Sequence, residues 1–255
     1  MMLLENKIGL VIGVANQRSI AWACAEACLS QGATLSFTYQ NERLKEKVEK
    51  LTANLPNRLL MPCDVTDRSQ IQAVFDEIEK HYGRLDFLIH SIAYAPREAL
   101  EGEFLETSRE AFLMSLEISA YSLIELSRHA KRLMTNGGSI VTMTYYGSEK
   151  VVPNYNVMGV AKAALEASVR YLAFDLGKYS IRVNAISSGP IKTLAAMGVG
   201  DIGKMQSIVA ERAPLKRNVQ ASEVGNTALF LLSDLSSAIT GETIYVDCGY
   251  NIMGI

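Results

Sequence analysis

The feature that most constrains how this chain can fold is a rhythm: apolar runs rich in Val, Ile, Leu and Phe recur along its 255 residues, separated by helix-like stretches. The runs are IGLVIG (8–13), TLSFTY (34–39), RLLMPCDV (58–65), LDFLIHSIA (85–93), GSIVTMTY (138–145), IRVNAISS (181–188) and TIYVDCG (243–249). Each is nearly continuous in hydrophobicity rather than alternating, which is the pattern of parallel strands covered on both faces. Between them lie segments such as SIAWACAEACLSQGA, SQIQAVFDEIEKHYG, AALEASVRYLAFDLGKY and SEVGNTALFLLSDL, several closing on a glycine that can terminate a helix. This alternation predicts an α/β protein, a doubly wound sheet of about seven parallel strands flanked by helices. Ligands of such sheets bind at the carboxyl ends of the strands, where successive connections diverge. No linker, repeat or low-complexity stretch divides residues 1–255, so one domain is expected.

Composition narrows the partners. A formal net charge of -2 argues against a basic footprint for nucleic acid or an anionic membrane, and points to a small molecule. Cys24, Cys28, Cys63 and Cys248 have neither zinc-ligand spacing nor the density of a secreted disulfide scaffold, so no metal and a reducing, cytoplasmic setting are expected. The start, MMLLENKIGLVIGVANQ, reads as a first strand rather than a leader, and no uninterrupted apolar run reaches membrane-spanning length. One segment breaks the rhythm. GPIKTLAAMGVGDIGKMQSIVAERAPL (189–215) is long, glycine-containing and apolar, which suits a lid over a ligand, expected at about 191–207.

The first strand leads into GVANQRSIAWACAEA, where a Rossmann-type dinucleotide site has its first βα turn, but the G-x-G-x-x-G fingerprint is missing. Gly13 ends the strand, and Ser19, Ile20 and Ala21 open a helix that Ser19 is placed to cap. Free amides at such a helix start suit a pyrophosphate even without the extra glycines. The second run ends in Gln40, where an NAD site ordinarily has an acid for the ribose hydroxyls. Glu42 beside Arg43 would repel a 2′-phosphate, so NADH is expected and NADPH disfavoured. Asp64 and Val65 end the third run, suited to an adenine edge; Ser91, Ile92 and Ala93 follow the fourth, small enough for close backbone approach. His90 reads as a packed strand-end histidine, since no acid or nucleophile is paired with it nearby in sequence.

Tyr155 and Lys162, in the segment YYGSEKVVPNYNVMGVAK, are seven residues apart. On a helix that step is about 700°, close to two turns, so both share a face about 10.5 Å apart along the axis. A nucleotide ribose fits such a gap, and an ammonium beside a phenol is expected to lower the phenol's pKa or at least to stabilise charge developing on a bound oxygen. Tyr145, at the end of the fifth run, is expected to reach the same pocket, in a positioning or a chemical role. Tyr146 should point away, and Met158 either lines the pocket or fills core.

These motifs together resemble the short-chain dehydrogenase/reductase superfamily, and most closely its bacterial NADH-dependent enoyl-acyl-carrier-protein reductase branch. YNVMGVAK is Tyr-x6-Lys, the spacing of that branch rather than the superfamily's usual Tyr-x3-Lys, and GVANQRSIA is similar to its Gly-x5-Ser-Ile-Ala loop. TYQ, CDV, HSIAYAP, RVNAISSGPIKTLAA and VDCGYNI resemble it too, from residue 5 to about 252. Departures are Ala93, where some members have glycine, and Cys248, which interrupts a common DGG.

The resemblance implies that Gly13, Ser19, Ile20, Gln40, Asp64, Val65, Ser91, Ile92, Lys162, Ile191 and Thr193 contact the nicotinamide cofactor. It implies that Ala93, Tyr145, Tyr155 and Met158 line the substrate site, with Tyr155, Lys162 and Tyr145 as the catalytic group. Tyr155 would meet the thioester carbonyl, Lys162 would hold the ribose hydroxyls, and Tyr145 would sit over the acyl chain. The implied reaction is reduction of a trans-2-enoyl thioester on acyl carrier protein in fatty acid biosynthesis, by hydride transfer to the β-carbon, with the enolate held by Tyr155 and the cofactor ribose. A homotetramer is implied as well. The alternatives are a short-chain carbonyl reductase or alcohol dehydrogenase, disfavoured by the Tyr-x6-Lys spacing, and a non-catalytic nucleotide-sensing protein on the same scaffold.

Overall fold

The computed structural model describes residues 2–194, 196 and 202–254. Seven strands form one parallel sheet: β1 (Ile8–Ile12), β2 (Thr34–Tyr39), β3 (Leu60–Pro62), β4 (Phe87–His90), β5 (Gly138–Thr144), β6 (Ile181–Ser188) and β7 (Thr243–Val246). Their order across the sheet is β3-β2-β1-β4-β5-β6-β7. The chain therefore winds outward in both directions from β1 and β4, and the crevice between their carboxyl ends is the switch point expected of a doubly wound sheet. The second and sixth apolar runs match their strands end to end; the others are trimmed where backbone pairing stops before the apolar residues do.

Helices cover both faces. On one side α3 (Arg68–Tyr82), α5 (Ser122–Leu133) and α6 (Asn156–Gly177) pack over a core that includes Leu10, Phe75, Leu88, Leu126 and Val183. On the other, α1 (Ile20–Leu29) and α8 (Ala221–Leu232) close over Val11, Phe37, Ile89, Val141 and Ile186. Alternate residues along β1 and β4 thus feed opposite cores, which is why those runs have no polar face. The remaining helices are α2 (Glu42–Thr52), α4 (Arg109–Leu116) and α7 (Ile202–Arg212). Local chemistry sets several helix ends. The Asp67 carboxylate accepts from the Ser69 and Gln70 amides at the start of α3. Gly83 ends that helix in the left-handed region, at φ 71°.

Between α4 and α5 the helix widens into a single π turn, Glu117–Tyr121. The widening presents buried Ser119 to the loop after β4, where its hydroxyl accepts from the Tyr94 amide at 3.0 Å and donates to the Tyr94 carbonyl at 3.1 Å. A helix defect here fixes the strand-end loop in the crevice. No helix among the described residues is long and apolar enough to cross a membrane.

Candidate active site

A cleft runs across the carboxyl ends of the strands and widens into two connected cavities. One, of about 420 Å³, lies over β4, β5 and β6; the other, of about 780 Å³, lies over β1, β2 and β3. Gly13, Ile92 and Ala93 line both and mark the junction. The first also holds Ser19, Ile20, Ser91, Tyr145, Tyr155, Met158, Lys162, Ile191 and Thr193, the second Gln40, Asp64 and Val65. Every site residue expected from the sequence therefore faces one continuous space.

At the junction the backbone comes close to whatever occupies the cleft. Gly13 has φ 107°, and a Cβ built on it would lie 2.0 Å from the Ser91 carbonyl oxygen, so only glycine fits between the two strand ends. Ser19 does not cap α1 as expected. Its hydroxyl points backward and accepts from the Ala15 and Asn16 amides at 3.0 and 3.1 Å, cinching the loop into a compact turn. A loop with no glycine after Gly13 needs a side chain to satisfy its own amides, and Ser19 does this. The first amides of α1, those of Ile20 and Ala21, accordingly have no partner among the described residues. Unpaired amides at a helix start beside a glycine cradle fit the pyrophosphate of a dinucleotide.

In the larger cavity Gln40 donates to one Asp64 oxygen at 3.2 Å, while the Thr66 amide and hydroxyl reach the other at 2.9 and 2.7 Å. Partial burial raises the Asp64 pKa, but the hydrogen bonds from Thr66 and Gln40 outweigh it and hold the carboxyl below its ordinary value. A fixed carboxylate beside an uncharged amide suits ribose and adenine edges and offers nothing cationic to a 2′-phosphate.

The smaller cavity is built differently. Tyr155 is the residue before α6, 7% exposed, and Lys162, within α6, is 5% exposed. The Tyr145 ring stands edge-on to that of Tyr155, centroids 5.0 Å apart. Gly147 makes room for this: a Cβ there would lie 2.5 Å from the Tyr155 ring. Lys162 donates to the Met143 carbonyl at 2.8 Å, which leaves two ammonium protons for the cleft. Burial pushes Lys162 down to about 8, opposed by the buried carboxylate of Glu166 one turn on.

Of the two effects expected of the lysine, lowering of the Tyr155 phenol or stabilisation of charge on a bound oxygen, the first is not seen. Burial, then Tyr145 and Glu166, move it well above the ordinary tyrosine value, and Tyr145 is pushed up to about 12 by burial and Tyr250. Removal from water disfavours a phenolate, so Tyr155 is a proton-bearing donor rather than a base. Met158 is buried and lines the cavity, filling both roles considered for it. Tyr146 turns away and donates to the Asn251 carbonyl at 3.0 Å.

His90 is fully buried under this cavity, with Thr142 at 2.7 Å from Nδ1 and Ser122 at 2.8 Å from Nε2. Because the Ser122 hydroxyl spends its proton on the Ile118 carbonyl, we assign the His90 proton to Nε2, with Nδ1 accepting from Thr142. Burial, then Lys162, push its pKa down to about 3, so it is neutral packing. Cys63 lines the larger cavity, but burial pushes its thiol up to about 12 and keeps it unreactive. No cluster of metal-ligating side chains occurs among the described residues.

Of the expected lid, Ile191, Thr193, Leu194, Ala196, Ile202 and Met205 line the smaller cavity; residues 195 and 197–201 lie outside the described residues. Sequence reasoning passed over Glu166, Ser119 and Gly147. A carboxylate four residues after Lys162 on an otherwise apolar helix face was the available signal for the first; nothing local marks the other two.

The enoyl-(acyl carrier protein) reductase family model matches residues 13–251. The enoyl-[acyl-carrier-protein] reductase [NADH] of Rickettsia felis is 54% identical over 252 residues, covering 99% of this chain and 97% of its own. The solved Bacillus cereus enoyl-acyl carrier protein reductase with NADP+ and indole naphthyridinone superposes with TM-score 0.98 at 53% identity, covering all of both chains. The Anaplasma phagocytophilum enoyl reductase in complex with NAD superposes with TM-score 0.96 at 49% identity, over 100% of this chain and 97% of that one.

Proposed function

The chain belongs to the enoyl-(acyl carrier protein) reductase family of short-chain dehydrogenases/reductases, and from that premise we propose that it is an NADH-dependent enoyl-acyl-carrier-protein reductase. The observation that carries this reading is the pairing of a buried, proton-bearing Tyr155 with a buried Lys162 in one cavity, continuous with a cradle suited to a dinucleotide. Gly13, Ser91, Ile92 and the α1 amides would hold the pyrophosphate region, and Gln40, Asp64 and Val65 the adenosine. When bound, NADH would supply the hydride for the β-carbon of a trans-2-enoyl thioester, and a proton taken up at the α-carbon of the resulting enolate would complete the reduction. Tyr155 donates to the thioester oxygen, whose charge grows only as the reaction proceeds, so the bond stabilises the transition state more than the ground state. Lys162 holds the ribose hydroxyls with the two protons Met143 leaves free. Tyr145 buttresses the Tyr155 ring and forms a wall for the acyl chain. Ile191, Leu194, Ile202 and Met205 exclude water as an apolar lid.

Following NADH absorbance with crotonyl thioester, against ketones and with NADPH in parallel, tests this. Oxidation with the enoyl thioester alone, faster with NADH, is expected. Turnover only with ketones establishes a carbonyl reductase, and binding without turnover on any enoyl thioester establishes a nucleotide sensor. We extend the proposal to a single-domain cytoplasmic homotetramer acting on acyl carrier protein: Tyr171 and Phe174 stand 76% and 83% exposed on α6, an apolar face suited to a second copy.

A further inference from the structure

Two side chains of α6 hold consecutive residues at the end of β5. Lys162 donates to the Met143 carbonyl at 2.8 Å, and Glu166 accepts from the Thr144 hydroxyl at 2.6 Å. Tyr145 is the next residue, and its ring rests on Tyr155. Glu166 is 8% exposed and Thr144 3%, so this bond is shielded from competing water. Lys162 and Glu166 are four residues apart on one helix, hence on nearly one face, and each reaches for the strand end rather than for the other. Burying a carboxylate is costly unless it is hydrogen-bonded and offsets a charge nearby.

We propose that Glu166 is the positioning residue of this site: it fastens the strand end carrying Tyr145 through Thr144, and supplies the countercharge that keeps the Lys162 ammonium protonated to receive the cofactor. The inference rests on the reading of Lys162 as a cofactor ligand. His90 from β4 acts on Lys162, and Tyr145 after β5, Tyr155 before α6 and Arg97, which donates to Glu101 at 2.7 Å, share its cavity; His90 and both phenols are neutral around pH 8. Tyr245, on β7, faces Glu166 and is held protonated by burial and by Glu149. Glu166 is thus the anion acting on Lys162. Burial alone drives the lysine toward its neutral form, in which it loses a proton and its attraction for the cofactor's phosphates and hydroxyls. NADH affinity should therefore fall as pH rises through about 8, and without the carboxylate the fall should begin at lower pH.

The test measures NADH binding by fluorescence from neutral to alkaline pH for the wild type, E166Q and T144V, with thermal unfolding as a check on folding. The amide oxygen that E166Q introduces still accepts from Thr144, so this variant removes charge alone; T144V removes the bond and keeps the charge. The alkaline fall is expected about one pH unit lower in E166Q, a tenfold change in proton affinity. It should be unmoved in T144V, whose loss appears in kcat/KM for the enoyl thioester. If E166Q does not fold, E166L, which removes the same charge at similar volume, bears the test, with T144V as the control for the lost bond. A flat wild-type profile, an E166Q or E166L profile superposing on wild type, or an equal displacement in T144V overturns the proposal. Because the readout is binding, a wild type that binds NADH with this profile but reduces no enoyl thioester refutes the enoyl reductase reading and leaves the role of Glu166 standing.

Discussion

The two ends of the cleft solve different problems with different materials. At the adenosine end, exposed Gln40 and half-buried Asp64 hydrogen-bond each other beside solvent, and neither needs a displaced proton equilibrium to do its work. At the chemical end, Tyr155, Lys162 and Glu166 are each 8% exposed or less, and burial rather than any single neighbour dominates the titration of the tyrosine and the lysine. Recognition can rest on exposed, replaceable contacts. Transition-state stabilisation needs fixed donors in a place water cannot reach.

That contrast breaks most sharply at Tyr155. Tyr155→Phe should lower kcat/KM for the enoyl thioester by about 10² to 10³, since loss of one such donor costs about 2.7 to 4 kcal/mol. NADH binding, measured by fluorescence, should stay within about threefold because the ring and its packing on Tyr145 remain. Unchanged turnover would remove the tyrosine from the chemistry and leave the two ends alike.

Beneath the chemical end, His90 makes the same burial visible as acid sensitivity. Its folded pKa of about 3 lies below the unfolded value of about 6.5, so the unfolded chain binds the proton more readily throughout that window. The neutral histidine's contribution is present above about pH 6.5 and is lost as pH falls toward 3. His90→Gln should cost about 1 to 2 kcal/mol near neutrality through its two hydrogen bonds. Against wild type it should also flatten the decline by on the order of 4 to 5 kcal/mol, read from urea midpoints across that pH range. Parallel curves would show that the site beneath the cavity is wetter than its burial implies.

The smallest effect is expected at the adenosine end. Asp64→Asn keeps the shape and one acceptor oxygen, so KM for NADH should rise by roughly fivefold, about 1 kcal/mol, with kcat unaltered. A loss comparable to that of Tyr155→Phe would erase the distinction between the two ends.

Much of the site was legible because strand ends are local features. The residues closing β1 to β5 had to gather at one rim once the runs were read as parallel strands, and Gly13, Gln40, Asp64, Ser91 and Tyr145 all face the cleft. The seven-residue step from Tyr155 to Lys162 was legible too, because helical period is a property of the chain alone. Side-chain direction was not. Ser19 looks like a forward cap in sequence, yet it serves the loop behind it, since a glycine-poor turn has its own amides to satisfy.

By itself, then, the sequence determined the alternation of elements, the parallel sheet and the list of residues at its rim, because periodicity and turn chemistry act over a few neighbouring residues. The tertiary structure alone decided the protonation of Tyr155, the tautomer of His90, the anchoring of Tyr94 by Ser119 and the pairing of Glu166 with Thr144. Each depends on how much water is excluded and on which partner arrives from a distant part of the chain. Desolvation is a sum over many packed neighbours, and no short stretch of sequence contains that sum.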